Sequence, residues 1–383
     1  MPSRAVRVRP LVHALVLVTA AVLLNLVLLR LYERRPHTPD AREKQAAYLR
    51  APGAWDLLFL GDSRTYTDFD PDRLDPLLGT HSLNLAYWAH WFPTQYASFR
   101  ELIPHIPPGT IVVWSIGEQN FRAVSNTVNT AYSIRPWLLP RYVEWGYAVT
   151  DLQDNVAGGM LDAIPAHALR DPLRHYLASR MQGLGAASAA VSVATDEPGG
   201  GAGTGGAVTA GLDAYERLRA VYEADPRVHR VRAWVDEGHV TSIEVLTRRG
   251  FYLRDEIDTT FFRRKQAEMA AHTDTLTTAY VAEPRYWKTF LAILDEFQRH
   301  HVRLVVDRVE EAPYHYARGS DRRRIDAFMA DVQREVERRG YPWVSVDWTR
   351  FVDADYFDYN HLNRRGVERF TPLFAAALAP HLR

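Results

Sequence analysis

The sequence predicts an α/β domain: a parallel sheet with helices on both faces, split by a long insertion and preceded by one transmembrane helix. Three observations carry this expectation. Residues 55–60, 109–116 and 302–306 are short, continuous apolar runs without the alternation of a half-exposed strand, as strands buried on both faces read. Helix-length segments lie between or beyond them, among them 284–300, 321–339 and 364–378. Residues 11–29 form a nineteen-residue apolar run interrupted only by His13, Thr19 and Asn25.

The elements follow in order. Residues 1–10 read as a cytoplasmic tail and 11–30 as an uncleaved signal anchor, because nineteen residues at helical rise nearly cross a hydrocarbon core of roughly 30 Å. Arg4, Arg7 and Arg9 precede the run, no clear small-x-small cleavage site follows it, and a cleaved signal peptide is the alternative. Residues 31–52, polar and carrying Pro36, Pro39 and Pro52, read as a stalk. The first half of the domain, 53–122, holds strands at 55–60, 82–86 and 109–116, with a helix over 96–103 ended by Pro104. Residues 123–280 break the alternation and read as an insertion. Within it, 183–208 is a Gly-rich flexible loop, and 228–245 suggests a hairpin about Asp236-Glu237-Gly238. The second half, 281–383, contains a helix at 284–300, a strand at 302–306, a charged amphipathic helix stopped by Gly340, a strand at 343–346 and a closing helix at 364–378.

Composition removes several kinds of function. The 383 residues carry 46 basic and 46 acidic side chains, so the chain lacks the basic excess of an electrostatic nucleic-acid binder. There is no cysteine, which excludes disulfides, thiolate metal sites and a Cys nucleophile. Asp353, Asp355, Asp358 and His361 lie close in sequence, but without a second ligand group they form no coordination pattern, and no metal or other cofactor is expected.

Two short motifs remain. Gly61-Asp62-Ser63 follows the first strand, and open parallel sheets bind ligands at the carboxyl ends of their strands. Alone it also reads as an ordinary turn and helix cap. Asp358-Tyr359-Asn360-His361 lies between the last strand and the last helix. A serine hydroxyl needs a base to become a nucleophile, a histidine supplies one near neutral pH, and a carboxylate three residues earlier can orient the histidine. The two motifs sit at the ends of one expected sheet, in the chain order Ser…Asp…His.

Together these motifs resemble the SGNH/GDSL hydrolase superfamily, whose sheet is flavodoxin-like. The resemblance covers the two sheet halves and leaves out the insertion and the membrane segment. It implies Ser63 as nucleophile, His361 as base and Asp358 as its partner. It also implies an oxyanion hole built from a backbone N–H in a second block and an amide side chain in a third. Here the second block is Ser82-Leu83-Asn84-Leu85-Ala86, with Ala86 where the family has Gly, and the third is Gly117-Glu118-Gln119-Asn120, so the amide is Asn120, slightly preferred, or Gln119. A short anchor before such a domain is similar to proteins that O-acylate envelope polymers, such as those of alginate O-acetylation and of teichoic-acid D-alanyl transfer. That likeness implies a periplasmic, membrane-anchored serine O-acyltransferase, a polysaccharide or glycolipid acceptor and a multi-pass membrane acyltransferase as partner. An extracytoplasmic esterase or lipase, and a catalytically silent binding subunit, are the competing readings. Trp88, His90 and Trp91 could line a glycan groove or simply pack beneath the insertion, and Arg64 could meet an anionic polymer or be an ordinary solvated arginine.

Overall fold

The computed structural model describes residues 41–88, 91–122, 139–147, 205–236, 239–257, 282–316 and 322–383, with a few isolated positions elsewhere. In chain order these are α1 (Ala41–Arg50), β1 (Leu57–Leu60), α2 (Ser63–Asp68), α3 (Pro71–Leu78), β2 (Ser82–Asn84), α4 (Phe92–Leu102), β3 (Ile111–Ile116), α5 (Leu139–Trp145), α6 (Gly205–Glu223), β4 (Val228–Asp236), β5 (His239–Thr247), β6 (Tyr252–Glu256), α7 (Pro284–Arg299), β7 (Arg303–Arg308), α8 (Pro313–Tyr316), α9 (Arg322–Arg338), β8 (Trp343–Ser345) and α10 (Arg364–Leu378). All belong to one compact unit.

Five strands form a wholly parallel sheet in the order β2-β1-β3-β7-β8. The apolar runs are buried from end to end: Leu57, Leu58, Phe59 and Leu60 of β1 and Ile111 to Ile116 of β3 all lie in the interior. Both faces are covered. Phe59 packs on Phe374 of α10, whereas Trp114, one residue beyond the Val113 that pairs with Phe59, stacks on Phe290 of α7 and meets Phe92 of α4 edge-on. The chain leaves β1 for β2 on one side and returns past β1 to β3 on the other. The strand order therefore reverses at β1, and the carboxyl ends of β1 and β3 are where an open parallel sheet of this kind places its ligand crevice.

Two expectations change. Residues 41–50, expected within the stalk, form α1, and Lys44 and Tyr48, four residues apart on one helical face, are buried. The segment Ala-Arg-Glu-Lys-Gln-Ala-Ala-Tyr-Leu-Arg has no proline and consists mostly of strong helix formers, so the prolines on either side of it delimit a helix. The insertion carries the expected hairpin as β4 and β5 and packs into the core. Its hairpin is extended by β6 into a three-stranded antiparallel sheet, and Tyr215, Ile243, Val245 and Phe251 share one apolar cluster with Phe59 and Phe370. The tail of the Gly-rich tract, from Gly205, opens α6, while the rest of that tract lies outside the described residues. The 11–30 span lies outside them too, but for Thr19, Ala20 and Leu23; among the described residues no helix is long and apolar enough to cross a membrane.

Candidate active site

β1 ends at Leu60, and the chain turns sharply through Gly61 into α2, whose first residue is Ser63. Gly61 is required here: at φ +155° a Cβ would run into the Thr65 side chain and lie 3.1 Å from the Ser115 carbonyl oxygen. Asp62 caps the helix by accepting the Arg64 N–H at 3.0 Å. Asn84, at the end of β2, ties the helix down from its other end, its amide donating to the carbonyls of Thr65 (2.7 Å) and Phe69 (2.9 Å). The nucleophile candidate thus sits on a short helix fixed at both ends.

The second motif arrives from the far end of the chain. His361 Nε2 lies 2.7 Å from Ser63 Oγ, and its Nδ1 lies 2.8 Å and 2.9 Å from the two oxygens of Asp358. Asp358 Oδ1 also accepts the backbone N–H groups of Asn360 and His361, both at 3.0 Å, which fixes the loop. A further carboxylate, Asp68 at the end of α2, accepts the Leu362 N–H at 3.2 Å and so joins the serine helix to the histidine loop. Ser63, His361 and Asp358 therefore form one unbroken hydrogen-bonded line.

The electrostatics suit a general base. Burial opposes a charged imidazole, but the Asp358 carboxylate in contact with it, helped by Asp68 and Asp62, outweighs burial and holds the His361 pKa above its ordinary value. Asp358 is correspondingly low: burial would raise it, and the His361 charge and hydrogen bond more than offset that. Asp68 behaves oppositely. Burial dominates its hydrogen bonds and nearby cations, and its carboxyl is pushed up to about 7.

Arg64, expected as a contact for an anionic polymer, is completely buried. Its guanidinium forms a salt bridge of 2.6 Å with Asp62 and donates to Asn120 Oδ1 at 2.8 Å. It fits because Gly117 has no side chain: a Cβ there would collide with Arg64 Nη1 and stand 2.6 Å from the Val309 oxygen. Arg64 is a brace beneath Ser63 and has no access to a solvent-borne acceptor.

Asn120 belongs to the same brace. Its oxygen accepts from Arg64 and from the Gly117 N–H, and its NH2 group donates to Asp62 at 2.9 Å. Gln119 is placed differently: its oxygen accepts from Asn360 Nδ2 at 3.1 Å, which turns its NH2 group away from that partner. The Ala86 N–H donates to Asn84 Oδ1 at 3.0 Å and would have to leave it to meet an oxyanion. Trp88, 39% exposed, stands edge-on to the His361 ring with centroids 5.0 Å apart. Trp91 caps α4 through its carbonyl and takes no part in the ring contacts found around His361 among the described residues; His90 lies outside them. Of the remaining acidic residues near the motif, Asp355 is buried against Arg365 and Arg369, and Asp353 accepts the Tyr314 N–H.

Several participants were not anticipated from the sequence. Asp68 and Asn360 lie within or beside the motifs but act through long-range contacts that spacing does not reveal, Asp68 with the Leu362 N–H and Asn360 with the Gln119 side chain. Asn84 was visible in the second block as a polar residue inside an apolar run, which is the one signal that could have marked it. Comparison of the sequence with protein-family models and with curated proteins gives no match.

Proposed function

We propose that this chain is a serine-dependent O-acyltransferase of the SGNH type, acting through an acyl-enzyme on a polysaccharide or glycolipid of the cell envelope. The observation that carries the reading is the line from Ser63 Oγ through His361 to Asp358, held at 2.7 Å and 2.8 Å. His361 takes the hydroxyl proton as Ser63 Oγ bonds to the acyl carbonyl carbon of the donor, and Asp358 stabilises the imidazolium that forms. The proton then passes to the leaving oxygen as the donor's ester bond breaks. An acceptor hydroxyl, deprotonated by His361, attacks the acyl-enzyme, and Ser63 recovers its proton.

The oxyanion donors assigned here are the Ser63 N–H, which occupies the first helical turn and has no intrahelical partner, and the Gln119 amide, oriented by Asn360. Asn120 and Ala86 are engaged elsewhere, and on this reading their part is to keep Asp62, Arg64 and Asn84 in place. The N-terminal apolar run supports a single-pass anchor with the site outside the cytoplasm, close to a multi-pass acyltransferase that loads the serine. No cofactor enters these steps.

Whether the acyl group goes to a sugar or to water depends on which hydroxyl is positioned at the acyl-enzyme. The purified chain should cleave a small activated ester slowly, and an added acceptor oligosaccharide should divert acyl groups onto itself, read as a mass increase of the sugar. Efficient cleavage with no acylated sugar across a panel of envelope glycans would replace transfer by hydrolysis.

A further inference from the structure

Lys44 of α1 is buried, and among the described residues no carboxylate meets it. Its Nζ donates to the Ala86 carbonyl at 2.5 Å and to the Gly250 carbonyl at 2.9 Å, and it lies 4.1 Å from the centre of the Tyr66 ring. Three segments distant in sequence therefore converge on one amine: the loop after β2, the turn between β5 and β6, and α2. Burial holds the Lys44 pKa well below the ordinary lysine range. A buried amine without a carboxylate is costly, whereas a Met or Leu would fill the same space without that cost, so the side chain is explained by its hydrogen bonds and not by its volume. The approach is close: a Cβ at position 250 would stand 2.8 Å from Lys44 Cε.

Each contact leads to the catalytic line. Tyr66 lies one helical turn beyond Ser63 in α2, and its ring meets Trp88 edge-on at 5.8 Å. Ala86 comes shortly before Trp88, whose ring meets that of His361 at 5.0 Å. Ala86 is held from both sides, its N–H by Asn84 Oδ1 and its carbonyl by Lys44. Asn84 also holds α2 through the Thr65 and Phe69 carbonyls, and its own N–H donates to the Arg249 carbonyl at 3.0 Å, beside Gly250. Residues 84–88 are thus pinned between the serine helix and the insertion turn, and Lys44 is the one side chain that donates to both the loop and the turn.

We propose that Lys44 is a positioning residue for the active site: through the Ala86 and Gly250 carbonyls it fixes residues 84–88 and so sets Trp88 against His361. It touches neither substrate nor the reacting atoms. Without the amine, two buried carbonyls lose their donor, and the loop satisfies them by turning them toward water, which carries Trp88 off the histidine. The consequence for catalysis rests on the acyl-enzyme reading of Ser63; the hold on the surroundings of His361 does not.

The test compares the full chain with Lys44→Met, which keeps an apolar stem and removes the donor. The control is Tyr48→Phe, which removes one hydrogen bond from the same buried face of α1. Both readouts are taken where each protein is fully folded. The first is the rate at which a fluorophosphonate labels Ser63. Lys44→Met should slow it about tenfold, since small displacements around a reacting group cost at least that much, and Tyr48→Phe should label at the parent rate. The second is the NMR resonance of the His361 ring, assigned with His361→Gln, which senses the nearby Trp88 ring whether or not Ser63 reacts. It should move in Lys44→Met and stay in place in Tyr48→Phe. The chain has no cysteine, so Lys44→Cys alkylated with bromoethylamine restores an amine of lysine length at this position alone and should recover both readouts. Should Lys44→Met not fold, Lys44→Cys before and after alkylation supplies the same comparison. Unchanged labelling or an unmoved His361 resonance in folded Lys44→Met would overturn the proposal. So would equal effects from Tyr48→Phe, or an alkylated protein that recovers neither readout. If the resonance moves and recovers as expected but Ser63 of the parent chain is not labelled, the acyl-enzyme reading fails and the positioning role stands.

Discussion

At the residue scale, the site depends on carboxylates held in opposite protonation states by their surroundings. Asp358 is kept ionised by the histidine it orients, whereas Asp68 is pushed up to about 7 by burial, although the His361 charge acts on both. The native Asp68 carboxyl therefore keeps its proton to about pH 7, while the unfolded chain loses it near 3.8. Between these values the native state binds more protons, so unfolding free energy falls as pH rises; the contribution is fully present below about pH 4 and lost above about pH 7. Asn at this position keeps an oxygen for the Leu362 N–H and does not titrate. Urea unfolding across this range should show Asp68→Asn gaining on the parent by on the order of 3 kcal/mol between pH 4 and pH 8. Parallel pH profiles would show that Asp68 is ionised in the native state. Ser63, His361 and Asp358 were legible because their chemistry fixes residue types at recognisable spacing. Asp68 was not, because its partner is a backbone amide 294 residues away, which no local pattern encodes.

At the scale of elements, the strands of the parallel sheet were legible because burial on both faces leaves only apolar side chains, as in Leu57–Leu60 and Ile111–Ile116. β6 was not, since Tyr-Leu-Arg-Asp-Glu is polar at both faces and only the long-range contacts of Tyr252 and Arg254 explain it. α1 was hidden by the prolines around it. Its role gives a sharp test: Tyr48 is fully buried and donates to the His105 carbonyl at 3.2 Å. Tyr48→Ala should cost roughly 3 kcal/mol of stability, in the range of large aromatic truncations in cores. A stalk residue would cost almost nothing, so an unchanged denaturant midpoint would detach α1 from the domain.

At the scale of the whole molecule, the arrangement solves one problem: residues 298 positions apart must meet to within hydrogen-bond distance. The parallel sheet does this by bringing the carboxyl ends of its strands to one edge, and Asp68, Asn84 and the Asp62–Arg64–Asn120 brace fix the meeting point. Beside it stand Trp88, from the loop that follows β2, and Tyr252 of the insertion. The central claim is that this meeting point makes Ser63 a nucleophile, and covalent labelling tests it most directly. Incubated with a fluorophosphonate, the intact chain should gain one adduct located at Ser63. The rate should rise with pH through a midpoint above the ordinary histidine value of 6.5, because His361 acts as a base only after it loses its proton. Ser63→Ala should abolish the adduct, and His361→Ala should slow its formation by at least a hundredfold, the usual scale of general-base assistance. An unlabelled Ser63 in the folded chain, or labelling indifferent to His361, would contradict the account.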